Sequence, residues 1–128
     1  MNEQHLVRVT QRRVTETPNA TMTTLASPTA SASQGLSVWT IEMRAGQQGP
    51  VHVFDVEQVW TLLDGEATLT VGDAVHALSS GDTLTVPPGV ERQVTATADA
   101  QLLACGASAA TVSVPGESEA RGTPPWIA

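Results

Sequence analysis

Apolar and polar residues alternate along much of this chain, in short runs separated by turn signals. Across 36–43, Leu36, Val38, Thr40 and Glu42 fall on one side, and Ser37, Trp39, Ile41 and Met43 on the other. Ala67, Leu69 and Val71 alternate in the same way across 66–71. A period of two sends successive side chains to opposite faces of a strand. Similar runs predict strands over 51–54, 58–63, 74–78, 83–86, 93–98 and 101–114. The breaks carry turn chemistry: Ala45 to Pro50, Asp64-Gly65, the hairpin signal Gly72-Asp73, Ser79 to Asp82, and Pro87-Pro88-Gly89. Strands this short, closely spaced by turns, predict an all-β sandwich or barrel.

Some segments read differently. Residues 99–110 are ambiguous, because Asp99 suits a helix cap and Ala, Gln and Leu are good helix formers, so helix and strand compete there. Residues 21–33 begin strand-like and pass into a Ser/Thr/Ala loop. The expected organisation is an N-terminal arm over 1–20, a single barrel domain over 21–115 and an extended tail over 116–128 anchored by Trp126. No repeat of 20–50 residues is visible.

Composition narrows the function classes. The 128 residues make one domain. With 41% hydrophobic residues the chain can bury a core. Six basic residues, all Arg, stand against thirteen acids, for a net charge of −7. That balance excludes the basic face a nucleic-acid binder needs, and it disfavours docking on an anionic membrane. The lone cysteine, Cys105, follows Leu102, Leu103 and Ala104, and reads as a small buried hydrophobe. No run is long enough for a membrane helix. Met1 to Val14 carries Glu3, Arg8, Arg12 and Arg13 and lacks the apolar stretch of a secretory signal, so the expected compartment is the cytoplasm.

Two segments carry chemistry: residues 49–65, with His52, Phe54, Gln58 and Gly65, and residues 81–92, Gly81-Asp82-Thr83-Leu84-Thr85-Val86-Pro87-Pro88-Gly89-Val90-Glu91-Arg92. Together they resemble the two sequence motifs of the cupin superfamily. The first runs His-x-His, a Glu, then a Gly; the second runs Gly, Pro-x-Gly, then a His. The resemblance implies a double-stranded β-helix, a jelly-roll-like barrel with a central cavity. It also implies four inward positions, three His and one Glu or Gln, that hold a divalent metal in family members. Here those positions match His52, Phe54, Gln58 and Arg92, while Glu57 is one residue off and should point away. Phe54 has no donor atom, and Arg92 brings a fixed positive charge. A divalent ion about 4 Å from that charge would be opposed by roughly 8 kcal/mol at an effective dielectric of about 20. Metal is therefore not expected; if one were bound, His52 and Gln58 would be its ligands.

Alternation puts His52 with Phe54, Gln58 with Trp60 and Leu62, and Arg92 with Val94 and Ala96, each set on one face. His52 and Arg92 are the candidate catalytic residues: His52 to move a proton, Arg92 to grip an anionic group. Gln58, Trp60, Phe54 and Val94 are the candidate ligand contacts. Each has a plainer reading: a hydrogen-bonded core histidine, an Arg paired with Glu91 or a rim acid, and apolar residues that only fill the core. His76 reads as a surface or rim residue, and His5 carries no signal.

The leading expectation is a cupin that binds a small polar or anionic metabolite and catalyses a metal-independent isomerase- or lyase-type reaction. The alternatives are a metal-dependent dioxygenase or polyketide-tailoring enzyme, and a non-catalytic binding or sensing module. The arm and the sheet edges favour a homodimer, with the arm adding to the partner's sheet.

Overall fold

A computed structural model describes residues 3–128 and shows two antiparallel sheets facing each other across one core. The first two residues of the expected arm lie outside the described residues. The strands are β1 (Arg13–Glu16), β2 (Thr21–Ala26), β3 (Leu36–Met43), β4 (Val53–Phe54), β5 (Gln58–Asp64), β6 (Glu66–Val71), β7 (Ala74–Ser79), β8 (Thr83–Val86), β9 (Arg92–Ala96), β10 (Ala100–Ala107) and β11 (Val112–Ser113). One sheet has six strands in the order β1-β2-β3-β10-β5-β8. The other is β7-β6-β9, extended by the Gln48–Thr95 and His52–Arg92 bridges to the segment that enters β4, which pairs with β11. The single helical turn of note is α1 (Pro28–Ser31), capped by the Ser27 side chain, which accepts from the Ala30 N–H at 3.1 Å. No helix among the described residues is long and apolar enough to cross a membrane.

The alternation read in the sequence sets the burial. In β3 Ser37, Trp39, Ile41 and Met43 are buried. In β6 Ala67 and Leu69 are buried, and in β5 so are Gln58, Trp60 and Leu62. Trp39, Leu62, Leu102 and Val86 of the first sheet meet Leu69, Leu78, Val94 and Ala96 of the second. Removing such surfaces from water is the main stabilising term of the fold.

One ambiguity closes and two local expectations change. Residues 100–107 form a strand, not a helix, because β10 pairs along its length with β3 on one side and β5 on the other. Asp99 does not cap a helix; its Oδ1 accepts from the Ala45 N–H at 2.9 Å. The single strand expected over 101–114 is two, β10 and β11, broken by the turn in which the Ala110 N–H reaches the Ala107 carbonyl. Cys105 is half-buried rather than buried, since it shares the outward side of β10 with Gln101 and Leu103.

The two termini lock together on this sheet. Arg13–Glu16, inside the arm expected over 1–20, forms the outer strand of the chain's own six-stranded sheet. Trp126, the expected anchor of the tail, is half-buried, and Ile127 beside it is fully buried. The carbonyl of Trp126 accepts from Thr24 Oγ1 and that of Ile127 from Ser37 Oγ. The Ala128 carbonyl accepts from Arg13 Nη2 and Thr29 Oγ1, each at 2.7 Å. These bonds account for Thr24 and Ser37, polar residues with no exposure at all.

Gly46 and Gly65 share a φ of +88°, but a Cβ at Gly46 would meet nothing within 4 Å, whereas one at Gly65 would lie 1.8 Å from the Asp99 carbonyl oxygen. Gly46→Ala should therefore cost only the left-handed backbone penalty, about 1–2 kcal/mol. Gly65→Ala should cost clearly more, because the 64–66 and 99–100 backbones must separate. Urea denaturation of both variants checks this. Equal losses would show that conformation alone, and not the Asp99 contact, sets the requirement.

Candidate functional site

The site grows from one backbone pairing that joins the segment entering β4 to β9. The backbones of His52 and Arg92 exchange two hydrogen bonds, His52 N–H to Arg92 carbonyl at 3.1 Å and Arg92 N–H to His52 carbonyl at 2.9 Å. This brings the start of β4 against the start of β9. Phe54 follows two residues after His52, so both side chains lie on one side, with ring centroids 5.2 Å apart in an edge-to-face contact.

Arg92 turns inward and is 1% exposed. Its Nη1 donates to Gln58 Oε1 at 3.1 Å, its Nη2 donates to the Pro87 carbonyl at 3.2 Å, and its Cζ lies 5.3 Å from the centre of the Phe54 ring. Among the described residues no carboxylate is within ion-pair distance of it; the two salt bridges are Arg8–Glu3 and Arg121–Glu117. Glu91, proposed as its partner in the plainer reading, is exposed. Burial lowers the Arg92 pKa to about 10, which leaves the group cationic near neutrality.

Gln58 is fixed by its donors. Its Oε1 accepts from both Arg92 Nη1 and Trp60 Nε1, each at 3.1 Å, so the amide can face only one way. Its Nε2 is then left buried without a hydrogen-bond partner, as is Arg92 Nε. Gly106 of β10 stands opposite Gln58, and a Cβ there would come within 3.1 Å of Gln58 Cγ. The strand passes this close because that side chain is missing.

Beside this cluster lies a cavity of about 380 Å³. His52, Phe54, Trp60 and Val94 line it, as the sequence suggested; Gln58 and Arg92 are not among its lining residues. Much of the rest of the wall comes from Met22, Trp39, Ile41, Met43 and Val112, with residues of the 17–20 turn and the tail residues Arg121, Pro124 and Trp126 completing it. Sequence motifs did not mark these, although the Trp39-Ile41-Met43 alternation already put three of them on one inward face. The contribution of β2 and of the tail has no sequence signal, since it depends on how the tail folds back. All three tryptophans of the chain line this cavity.

Among the described residues, His52 is the one imidazole in the wall. Its Nδ1 is 2.8 Å from the Pro50 carbonyl, which can only accept, so Nδ1 carries the proton. In the neutral ring Nε2 is then a free acceptor. Burial is the main cause that lowers the His52 pKa below 6.5; the Arg92 charge lowers it further, and the Pro50 bond works the other way. His76, on β7, is half-buried and takes no part in the cavity.

The four positions that would hold a divalent metal do not suit one. Phe54 offers no donor, Arg92 offers a cation, and Gln58 Oε1 already accepts two N–H groups. Only His52 Nε2 remains, and one nitrogen does not make a mononuclear site.

The sequence matches the cupin domain over residues 39–105, more than half of the chain. The chain belongs to the cupin family. Comparison with curated proteins returned no match. Among solved structures, an RmlC-like cupin from Shewanella frigidimarina is similar with a TM-score of 0.71 at 21% identity, covering 80% of this cupin and 89% of that chain. A conserved protein of unknown function from Streptococcus pyogenes gives 0.61 at 22%, covering 72% and 76%. A salicylate 1,2-dioxygenase from Pseudaminobacter salicylatoxidans gives 0.71 at 18%, covering 82% of this cupin but 33% of that longer chain. Identities this low speak to the shared cupin barrel.

Two outcomes follow for this cupin. Gln58→Leu strips the acceptor from two buried donors and should cost about 3 kcal/mol. The double variant Gln58→Leu/Arg92→Met should cost less than Gln58→Leu alone, since the stranded cation is gone. Denaturation of the four proteins gives the coupling directly; additive losses would mean the two side chains do not depend on each other. The second concerns acid. Because the folded His52 pKa lies below its unfolded value of 6.5, the unfolded chain binds the proton more readily. Stability should therefore fall as pH drops from 6.5 through the lower folded value, and His52→Asn should flatten that limb.

Proposed function

We propose that this cupin binds a small, largely apolar molecule in its cavity and removes a proton from it through His52, without a metal. The observation that carries the reading is a single imidazole, with its Nδ1 proton committed to the Pro50 carbonyl, set in an otherwise mostly apolar wall. A base there with a free Nε2 suits a ligand O–H, or an acidic C–H beside a carbonyl. Isomerisation and elimination both begin with such a step. Low polarity strengthens the hydrogen bond and keeps the base neutral and ready at ordinary pH.

Arg92 serves differently in this reading from the grip on a ligand carboxylate suggested by its sequence position. Two of its donor nitrogens are engaged within the protein, and it stands outside the cavity wall. Its charge nevertheless lies one ring away, against Phe54, and favours a negative charge that develops in the cavity. Phe54, Trp60 and Val94 provide apolar contact, and Gln58 holds Arg92 and Trp60 in place. The second reading, a binding or sensing module, uses the same cavity without turnover.

The test uses the three cavity tryptophans as reporters. Small cyclic ketones and phenols are screened by quenching of tryptophan fluorescence, and each binder is then incubated with the protein in D2O. Incorporation of deuterium beside the carbonyl, lost in His52→Gln while binding persists, is the expected result. Binding without exchange would favour the binding module, and exchange undiminished in His52→Gln would remove His52 as the base. If no compound quenches, the cavity is not the ligand site.

A further inference from the structure

Among the described residues, Arg121 is the one arginine in the cavity wall. It sits in the exposed 115–123 segment of the tail, at the rim formed with Pro124 and Trp126. Its backbone is held from the barrel side: the Arg121 N–H donates to the Val112 carbonyl at 2.8 Å, and the Val112 N–H to the Gly122 carbonyl at 3.0 Å. The guanidinium is therefore delivered to the rim by a fixed stretch of chain. There it meets one carboxylate, Glu117, which takes it in a forked contact: Nε to both carboxylate oxygens at 3.0 Å and Nη2 to Oε1 at 2.8 Å. Both side chains are well exposed, at 59% and 38%. A pair this exposed is weak and exchangeable.

Among the described residues no acid lines the cavity, and the other arginine near it, Arg92, is turned away into the Gln58 cluster. A molecule with an apolar body in the cavity and an anionic end at the rim would thus find a forked cation with a single competitor. Planar carboxylates match that fork as Glu117 does.

We infer that Arg121 selects the ligand: the cavity takes amphipathic organic acids, whose carboxylate displaces Glu117 from Arg121 while the apolar portion lies among Trp39, Trp60 and Trp126. This rests on the cavity being the ligand site, as proposed above, and adds the charge and the orientation of what enters. It also moves recognition of the anion from Arg92, where the sequence motif placed it, to a residue in the tail that no motif marks. Bound this way, the acid's far end is directed inward, toward His52.

Phenylpropanoate and its neutral amide, phenylpropanamide, are the probes, and their affinities are read by tryptophan quenching on the full chain. The acid should bind more tightly than the amide. Arg121→Gln should lower the acid-to-amide affinity ratio by about fivefold or more. Glu117→Gln should raise the same ratio, because the competitor has lost its charge. Both changes lie on an exposed segment, so the fold is not at stake. If acid and amide bind alike, or if the ratio is insensitive to both variants, the assignment of Arg121 is overturned while the cavity reading stands. If neither probe binds wild-type protein, both the assignment and the cavity as a site for such molecules fail.

Discussion

Arg92 is buried and cationic, and each partner the structure gives it is neutral: an amide oxygen, a backbone carbonyl and an aromatic face. A charge out of water without a counter-ion is expensive, and its place in a folded protein has to be built. Much of the barrel's centre can be understood as that construction. Gln58 must present its oxygen to Arg92, which obliges Trp60 to share the same atom and leaves Nε2 unpaired. Gly106 must lack a side chain so that Gln58 can lie beneath β10. Pro87 must turn its carbonyl inward at the end of β8, and Phe54 must offer its ring from β4. Four strands and both sheets therefore converge on one guanidinium.

The same arrangement explains why the cavity is apolar. A cupin with metal-binding side chains at these positions would turn several nitrogens and oxygens toward the barrel interior. Here Phe54 has no polar side-chain atom and Gln58 and Arg92 bond each other outside the wall, so of the four positions only His52 brings a polar side chain to a mostly apolar cavity. The tail closes the remaining gap. Thr24, Ser37, Thr29 and Arg13 satisfy its carbonyls, so Pro124 and Trp126 can stand as wall rather than as loose chain.

The fold was legible because it depends on local signals. Two-residue periodicity set the inward faces of β3, β5 and β6, and Gly, Pro and Asp set the turns between them. Asp99 left 99–110 open between helix and strand because a side chain that suits a helix cap can equally satisfy a backbone N–H on a neighbouring loop, and only the pairing partners decide between the two. The motif spacing correctly grouped His52, Phe54, Gln58 and Arg92. It did not reveal that Gln58 and Arg92 would spend their hydrogen bonds on each other and leave the cavity wall. That outcome depends on side-chain geometry across two sheets, which periodicity does not encode. Arg121 was invisible for a related reason: a tail without alternation says nothing about where it folds back.

If the proposed function and the assignment of Arg121 hold, three charged or basic groups divide a task that a metal ion otherwise concentrates in one place. A metal orients, polarises and carries positive charge at once. In this barrel the fixed charge sits in Arg92 but is screened from contact by its own partners and by Phe54. In the proposed function the proton acceptor is His52, held in one tautomer by the Pro50 carbonyl. On the inference drawn for Arg121, orientation falls to the rim, where an exposed arginine can be reached by a ligand without first desolvating a buried charge. Separating the roles in this way has a chemical consequence. A buried, fully engaged cation influences any anion in the cavity through its field alone, so it discriminates poorly among ligand shapes. On the proposed reading, selection comes from the apolar walls and from the rim, to which β2, β3 and the tail contribute alongside Phe54 and Trp60 of the first motif.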